Sequence, residues 1–220
     1  KIGNTNYFAD AEYRVGKWID SVGDTETFVP VLGILYSFNY DRNKHEFYEN
    51  EKDDNDFFEN TYFGDYYTTD LIRFNELSNI VQLKQYESES KKFTFGKRAY
   101  FGHELSRGLM PGERQSDTTH TETDIKFSNL YVGGGIFRET GKFWRWNFEG
   151  KIYLAGRNSG QVELYGDIQK PFVFWGDSAA SIRFTGAIEN TVADYFQENF
   201  SSNHVKWSNN FDMEQRMTLG

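Results

Sequence analysis

The sequence predicts an all-β fold: an antiparallel up-and-down transmembrane β-barrel, about nine strands of it visible, read as a segment of a larger barrel. Three observations carry this: period-two alternation, a composition both aromatic and polar, and connections that alternate short and long. The alternation is clearest over residues 142–155. Phe143, Arg145, Asn147, Glu149, Lys151 and Tyr153 share one parity, and Trp144, Trp146, Phe148, Gly150, Ile152 and Leu154 the other. In a strand the two sets point to opposite faces. A soluble sandwich would turn the aromatic set inward. A membrane barrel turns it to lipid and leaves the charged set in a wet lumen.

Composition favours the barrel. Aromatic residues make up 18% of 220, yet the formal net charge is −9 and the mean hydropathy −0.72. Soluble cores draw more on Leu, Ala and Val; aromatic girdles beside a polar lumen account for both features. With no Cys, a disulfide scaffold and Cys-ligated metal sites are excluded. No apolar run nears the roughly 20 residues of a transmembrane helix; the longest, Phe28 to Tyr36, contains Pro30 and Gly33. The acidic balance argues against nucleic acid. The chain opens Lys-Ile-Gly-Asn, so a leader has been removed or the chain is an internal piece.

Nine strand-like segments are expected, at 5–19, 28–49, 68–86, 92–102, 122–138, 142–155, 161–175, 179–192 and 203–219, with no convincing amphipathic helix. In the first, Tyr7, Ala9, Ala11, Tyr13 and Val15 oppose Asp10, Glu12 and Arg14. In the second, Phe28, Leu32, Ile34, Tyr36 and Phe38 share a face. The third and fifth alternate less cleanly. In the seventh, Val162, Leu164, Ile168, Phe172 and Phe174 oppose Glu163, Asp167 and Gln169. In the eighth, Ile182, Phe184 and Ile188 oppose Arg183, Thr185 and Glu189. The odd-numbered connections (Ser21–Thr27, Glu87–Lys91, Glu139–Gly141, Gly176–Ser178) are short, whereas the even ones (Asn50–Tyr67, His103–Thr121, Gly156–Gly160, Ala193–Ser202) include the two longest. Loop lengths sorted to two ends are a barrel signature. Nine is odd, bacterial single-chain barrels are normally even, and the last residues run on as strand. Residues 1–220 are therefore expected to be a single barrel segment without an internal domain boundary.

Residues 195–211 run Tyr-Phe-Gln-Glu-Asn-Phe-Ser-Ser-Asn-His-Val-Lys-Trp-Ser-Asn-Asn-Phe. This resembles a segment of the putative porin family of the Bacteroidetes, in which an aromatic loop leads into Ser-Asn-His-x-x-Trp-x-Asn-x-Phe. Ser202, Asn203, His204, Trp207, Asn209 and Phe211 carry the match, and Leu71 to Asn79 resembles an upstream strand more weakly. The resemblance implies an outer-membrane barrel, named porin by analogy, without catalytic residues.

Other motifs read more simply. Glu46–Glu59 holds seven acids and one base, most of the chain's net charge. Asp53, Asp54 and Asp56 could bind a divalent cation, but EF-hand spacing fails at Phe58, and a solvated loop is expected. His45, His103, His120 and His204 form no metal-ligand pair by spacing, though His103 and His120 could meet at the base of one loop. Gly133-Gly134-Gly135 interrupts a strand, where a bend or a side chain packed on the wall is expected. Glu149, Glu163 and Asp167 read as lumen lining rather than a hydrolytic pair. Trp144, Trp146, Trp175 and Trp207 suit a girdle at the membrane–water boundary.

The reading is a porin in the bacterial outer membrane that forms or lines a diffusion channel. Asp10, Glu12, Arg14, Arg145, Glu149, Lys151, Glu163, Asp167, Arg183 and Glu189 are expected to line the lumen. Trp144, Trp146, Phe148, Ile152 and Leu154 are expected to meet lipid or form the girdle. Membrane lipid and small polar solutes are the expected partners. Catalysis, a cofactor, a bound metal and nucleic acid are not expected. A plugged receptor or assembly barrel and a soluble carbohydrate-binding β-sandwich are the alternatives. The parent protein should fractionate with the outer membrane and need detergent; recovery in the soluble periplasmic fraction would contradict the membrane reading.

Overall fold

In the computed structural model, residues 1–21, 25–49, 58–63, 68–88, 94–116, 119–140, 144–175 and 178–220 are described. Eight long strands follow in sequence: β1 (Ile2–Ser21), β2 (Thr25–Glu49), β3 (Thr68–Gln85), β4 (Gly96–Ser116), β5 (Thr119–Arg138), β6 (Arg145–Ala155), β7 (Val162–Trp175) and β8 (Ser178–Thr191). A one-turn helix α1 (Tyr195–Glu198) and two short strands, β9 (Asn199–Ser201) and β10 (Lys206–Ser208), come next, and β11 (Glu214–Leu219) ends the chain. β1 to β8 and β11 form one nine-stranded sheet, each strand antiparallel to its sequence neighbour. This is the expected all-β meander. Among the described residues β1 pairs only with β2 and β11 only with β8, so the sheet is not closed on itself.

Directly paired residues share a face, so the ladder can be followed from strand to strand. Arg14 faces Gly33, Gly33 faces Lys84, Lys84 faces Arg98, Arg98 faces Gly135 and Gly135 faces Glu149. One face of the sheet is thus charged from β1 through β6. The other carries the apolar set, and its side chains stay open: Tyr13 is 70% exposed, Leu83 51%, Phe101 47% and Phe184 62%. The buried apolar residues of the sheet, Ile72, Met110, Ile125, Tyr131, Phe137 and Tyr153, lie instead on the charged face. This inverts the burial pattern of a soluble sandwich.

Several expected boundaries change. β4 does not stop at 102; it continues to Ser116, and the expected loop His103–Thr121 is a hairpin of β4 with β5. Gly108, Pro111 and Gly112 look like loop residues, but Gly108 and Pro111 pair in register with Ile125 and Glu122, and the register shift after Pro111 absorbs Gly112. The ninth expected segment begins too early, since only Glu214–Leu219 joins the sheet. Two long connections, 50–67 and 192–213, remain at the same end of the sheet. Val31 is bulged out between Val15 and Gly16, so Phe28 pairs with Trp18 and leaves the face of Leu32 and Ile34.

Gly133 in the triple glycine and Gly102 on β4 each seat an aromatic ring. A Cβ at Gly133 would come within 2.3 Å of the Tyr100 ring, and one at Gly102 within 2.0 Å of the Tyr131 ring. Each tyrosine lies flat across the glycine on its neighbouring strand, excluding water from the ladder where no side chain would cover it. Gly133→Val should therefore destabilise the folded sheet by about 1–3 kcal/mol through overpacking, whereas Gly3→Ala, with nothing within 4 Å, should be near neutral. Urea titration followed by gel heat-modifiability measures both.

Candidate functional site

The charged face is a wall of cross-strand ion pairs. Arg98 reaches the Glu149 carboxylate at 2.5 Å and the Asn147 amide oxygen at 2.9 Å, and the Tyr100 hydroxyl donates to Glu149 at 2.9 Å. Lys151 pairs with Glu163 at 2.9 Å, and Arg216 lies 3.7 Å from Glu189. Arg183 pairs with Asp167, and Glu12 accepts from both Arg14 and Tyr86. All ten residues expected on the lumen side share this face: Asp10, Glu12, Arg14, Arg145, Glu149, Lys151, Glu163, Asp167, Arg183 and Glu189. Asp10 and Arg145 make no ion pair among the described residues. Glu149, Glu163 and Asp167 each meet a cation, and Glu163, which stands across from Glu189 in the β7–β8 ladder, is paired with Lys151 while Glu189 lies beside Arg216.

The opposite face carries Trp146, Phe148 and Ile152, with Trp146 packed on Phe148 at 5.8 Å between centroids. Leu154 is bulged out between Tyr153 and Ala155, and Trp144 precedes β6, stacked under Lys170. The side chain of Trp175 lies outside the described residues.

The segment 192–213 builds the second part of the site. It leaves β8 and crosses to β3, five strands away, or roughly 24 Å at the usual interstrand spacing. Asp194 starts its helical turn with a capping box: its carboxylate accepts from Phe196 N–H at 2.8 Å, and Gln197 Oε1 accepts from Asp194 N–H at 3.2 Å. β9 and β10 then pair as a small hairpin. Tyr195, Phe196 and Phe200 pack on Ile72, Met110, Ile125 and Phe127 of the charged face. This apolar core of the described residues lies between the hairpin and the sheet. Arg157, from the β6–β7 turn, clasps the segment by donating to Ala193 C=O at 2.6 Å and to Glu198 at 2.7 Å.

The motif residues hold the hairpin tip. Asn203 is 3% exposed. Its side chain accepts from Phe63 N–H at 2.7 Å and donates to Thr68 Oγ1 at 2.7 Å, and its own N–H donates to Asp70 at 2.8 Å. His204 stacks on Phe58 at 3.9 Å between centroids. Its Nδ1 faces the Asn60 carbonyl at 3.0 Å, which can only accept, so Nδ1 carries a proton, and Nε2 lies 2.9 Å from Thr68 Oγ1 and 3.5 Å from Glu49 Oε2. Trp207 stacks on Phe200 at 4.5 Å and donates Nε1–H to Phe196 C=O at 3.0 Å. It belongs to the hairpin, not to a girdle, which corrects that expectation. Ser202 closes the hairpin turn with Val205, and the Asn209 amide donates to Gln197 C=O. Phe211 is 51% exposed.

Some expectations part company with the geometry. His103 pairs across with Leu130 and His120 with Arg114, so the two do not meet at a loop base. Asp53, Asp54 and Asp56 lie outside the described residues. No group of three metal-ligating side chains occurs among the described residues. The sequence reasoning missed Arg98, Tyr100, Glu104 and the clasp Arg157. It also missed the Asp194-x-x-Gln197 capping pattern, which was available as a helix-start signal.

A sequence family described as putative porin matches residues 1–220, the whole chain. Comparison with curated proteins and with solved structures gives no match. If the hairpin tip is held as described, Asn203→Ala leaves the Phe63 N–H and Thr68 hydroxyl without their partner, at a cost on the order of 2 kcal/mol. Trypsin should then cut after Lys206 in the folded variant, while the parent protein resists.

Proposed function

The chain belongs to the putative porin family, and from that premise we propose that this outer-membrane β-barrel wall lines a diffusion channel for small polar solutes, with the hairpin of 192–213 as its constriction. The observation that carries the reading is the hairpin's position on the charged face, across five strands. In a barrel with that face inward, a segment crossing from β8 to β3 cuts the lumen like a chord. Solutes then pass between its polar side and a wall of mixed charge. The pairs Arg98–Glu149, Lys151–Glu163 and Arg183–Asp167 keep the wall hydrophilic without making it strongly selective for one sign. Lipid on the apolar face and small polar solutes within are the proposed partners; catalysis and nucleic acid have no part in this reading.

The same hairpin favours a second reading, a plugged barrel acting as receptor or assembly platform. Planar-bilayer recordings separate the two. A constricted channel gives ohmic steps in the parent protein, and replacing 195–208 by a short Gly-Ser linker enlarges them. A plug gives conductance only after that replacement. Conductance in neither form, with folding verified by heat modifiability, contradicts both. The soluble sandwich needs a second large sheet on the apolar face, and the described residues hold only the two-stranded β9–β10 sheet besides the main one.

Two substitutions test the details. In an open channel Arg145→Glu, with no ion pair to break among the described residues, should move the reversal potential toward cation preference, since it removes a positive charge from the wall. On the apolar face Phe148→Arg should cost about 2–4 kcal/mol if the residue lies near the bilayer midplane. Thr185→Arg, beside Asp167 on the charged face, should cost far less. Equal costs in a urea titration would contradict the assignment of faces.

A further inference from the structure

The ladder that sorts the two faces also aligns basic side chains on the apolar one. Tyr7, Tyr40, Leu77, Leu105 and Ser128 form a row across β1 to β5, each paired with the next. The neighbouring row toward the end of the long connections reads Thr5, Arg42, Asn75, Arg107 and Lys126. The row beyond contains Lys44 and Arg73. Rows on one face are two residues apart, roughly 7 Å along the strand. Five cations therefore gather within two rows of a tyrosine–leucine band.

Their counter-charges are fewer. Lys44 pairs with Glu46 at 3.0 Å, and Arg107 and Lys126 share the single carboxylate of Asp124. Arg42 and Arg73 make no ion pair among the described residues. Arg73 Nε and Asn75 Oδ1 are buried side-chain atoms without a hydrogen-bond partner among the described residues. A groove of about 630 Å³ opens here, with Tyr40, Leu77 and Leu105 on its apolar side and Asn75, Arg107 and Lys126 on its polar side. An apolar floor under a cationic rim is complementary to an amphiphile with an anionic head. In outer-membrane barrels the long connections mark the external side, so the basic row lies on the outer-leaflet side of the tyrosine–leucine band.

We propose that this groove binds a membrane lipid with an anionic phosphate headgroup, its phosphate oxygens held by Arg107 and Lys126 in the groove and by Arg42, which stands beside the groove across from Asn75, with an acyl chain lying over Leu77 and Leu105. Guanidinium and ammonium donors suit phosphate oxygens, and the shared Asp124 leaves both its partners with donors to spare. The inference rests on the reading that the apolar face meets lipid.

The test uses the full-length protein in neutral-detergent micelles, titrated with phosphatidylglycerol, phosphatidylcholine or inorganic phosphate, with bound lipid counted by mass spectrometry and the thermal midpoint read by heat modifiability. Phosphatidylglycerol should bind and raise the midpoint, while the other two should not. The triple variant Arg42→Gln, Arg107→Gln, Lys126→Gln should lose affinity on the order of a hundredfold, from about fivefold per basic side chain near an anionic surface. Equal binding of phosphatidylcholine overturns the proposal, and so does an unchanged triple variant. A matching effect of inorganic phosphate overturns the lipid as occupant. The parent protein's headgroup preference decides even if the variant fails to fold. Quenching of Trp146 by brominated lipid, in a variant whose other tryptophans are Phe, separates the premises. Without quenching the assignment of faces fails; with quenching but no headgroup preference, only this site fails.

Discussion

In hydrocarbon a peptide N–H or C=O has no partner but another peptide group, and each one left over costs several kcal/mol. An antiparallel sheet meets that constraint between its strands, with β1 and β11 each paired on one side among the described residues. The antiparallel ladder runs from β1 through β8 to β11. Because side chains alternate with a period of two, a slip of one residue in any strand would carry its whole charged set to the other face. Ion pairs such as Lys151–Glu163 on β6 and β7 add specificity to that register, although each is worth only about 0–1 kcal/mol where water reaches it. Tyr131, seated on Gly102, adds a steric key, since a register slip would drive its ring into a Cβ.

With the apolar face of the sheet left open, the dry core lies on the charged face. The described apolar cluster forms where Tyr195, Phe196 and Phe200 fold onto Ile72, Met110 and Ile125. A loop of such composition would otherwise expose three aromatic rings to water. Its tip is fixed by polar contacts that need particular atoms: the Asn203 amide both donates and accepts, and the His204 ring is held from both nitrogens. This gives the family motif a physical meaning. The Ser-Asn-His-x-x-Trp pattern is the latch of an inserted hairpin, and the Trp207–Phe200 stack stiffens the arm that carries it.

The alternation at 142–155 was legible because both sets are chemically pure, and the same parity on the other strands puts all ten expected lumen residues on one face of the sheet. Phe28 was misassigned because a single bulged residue, Val31, inverts the pattern without any mark in composition. The end of β4 was lost for the opposite reason: Gly108, Pro111 and Gly112 carry loop character that the β4–β5 ladder overrides. Trp207 looked like a girdle residue because an aromatic in a polar setting suits both a membrane boundary and a packed hairpin. The basic row on the apolar face could not be read at all. Arg42, Arg107 and Lys126 lie far apart in the chain and come together only through the register of four strands.

The central claim is that the hairpin crosses the charged face and latches to the start of β3. The chain has no Cys, so a pair introduced as Thr68→Cys and Asn203→Cys reports on this without background. The two native side chains are 2.7 Å apart at their bonded atoms. In the folded, membrane-inserted protein the pair should oxidise to a disulfide that joins the two fragments after cleavage between them, while a control pair at Thr5 and Asn203 stays reduced. Full labelling of both Thr68→Cys and Asn203→Cys by a maleimide, with no disulfide formed, would contradict the account.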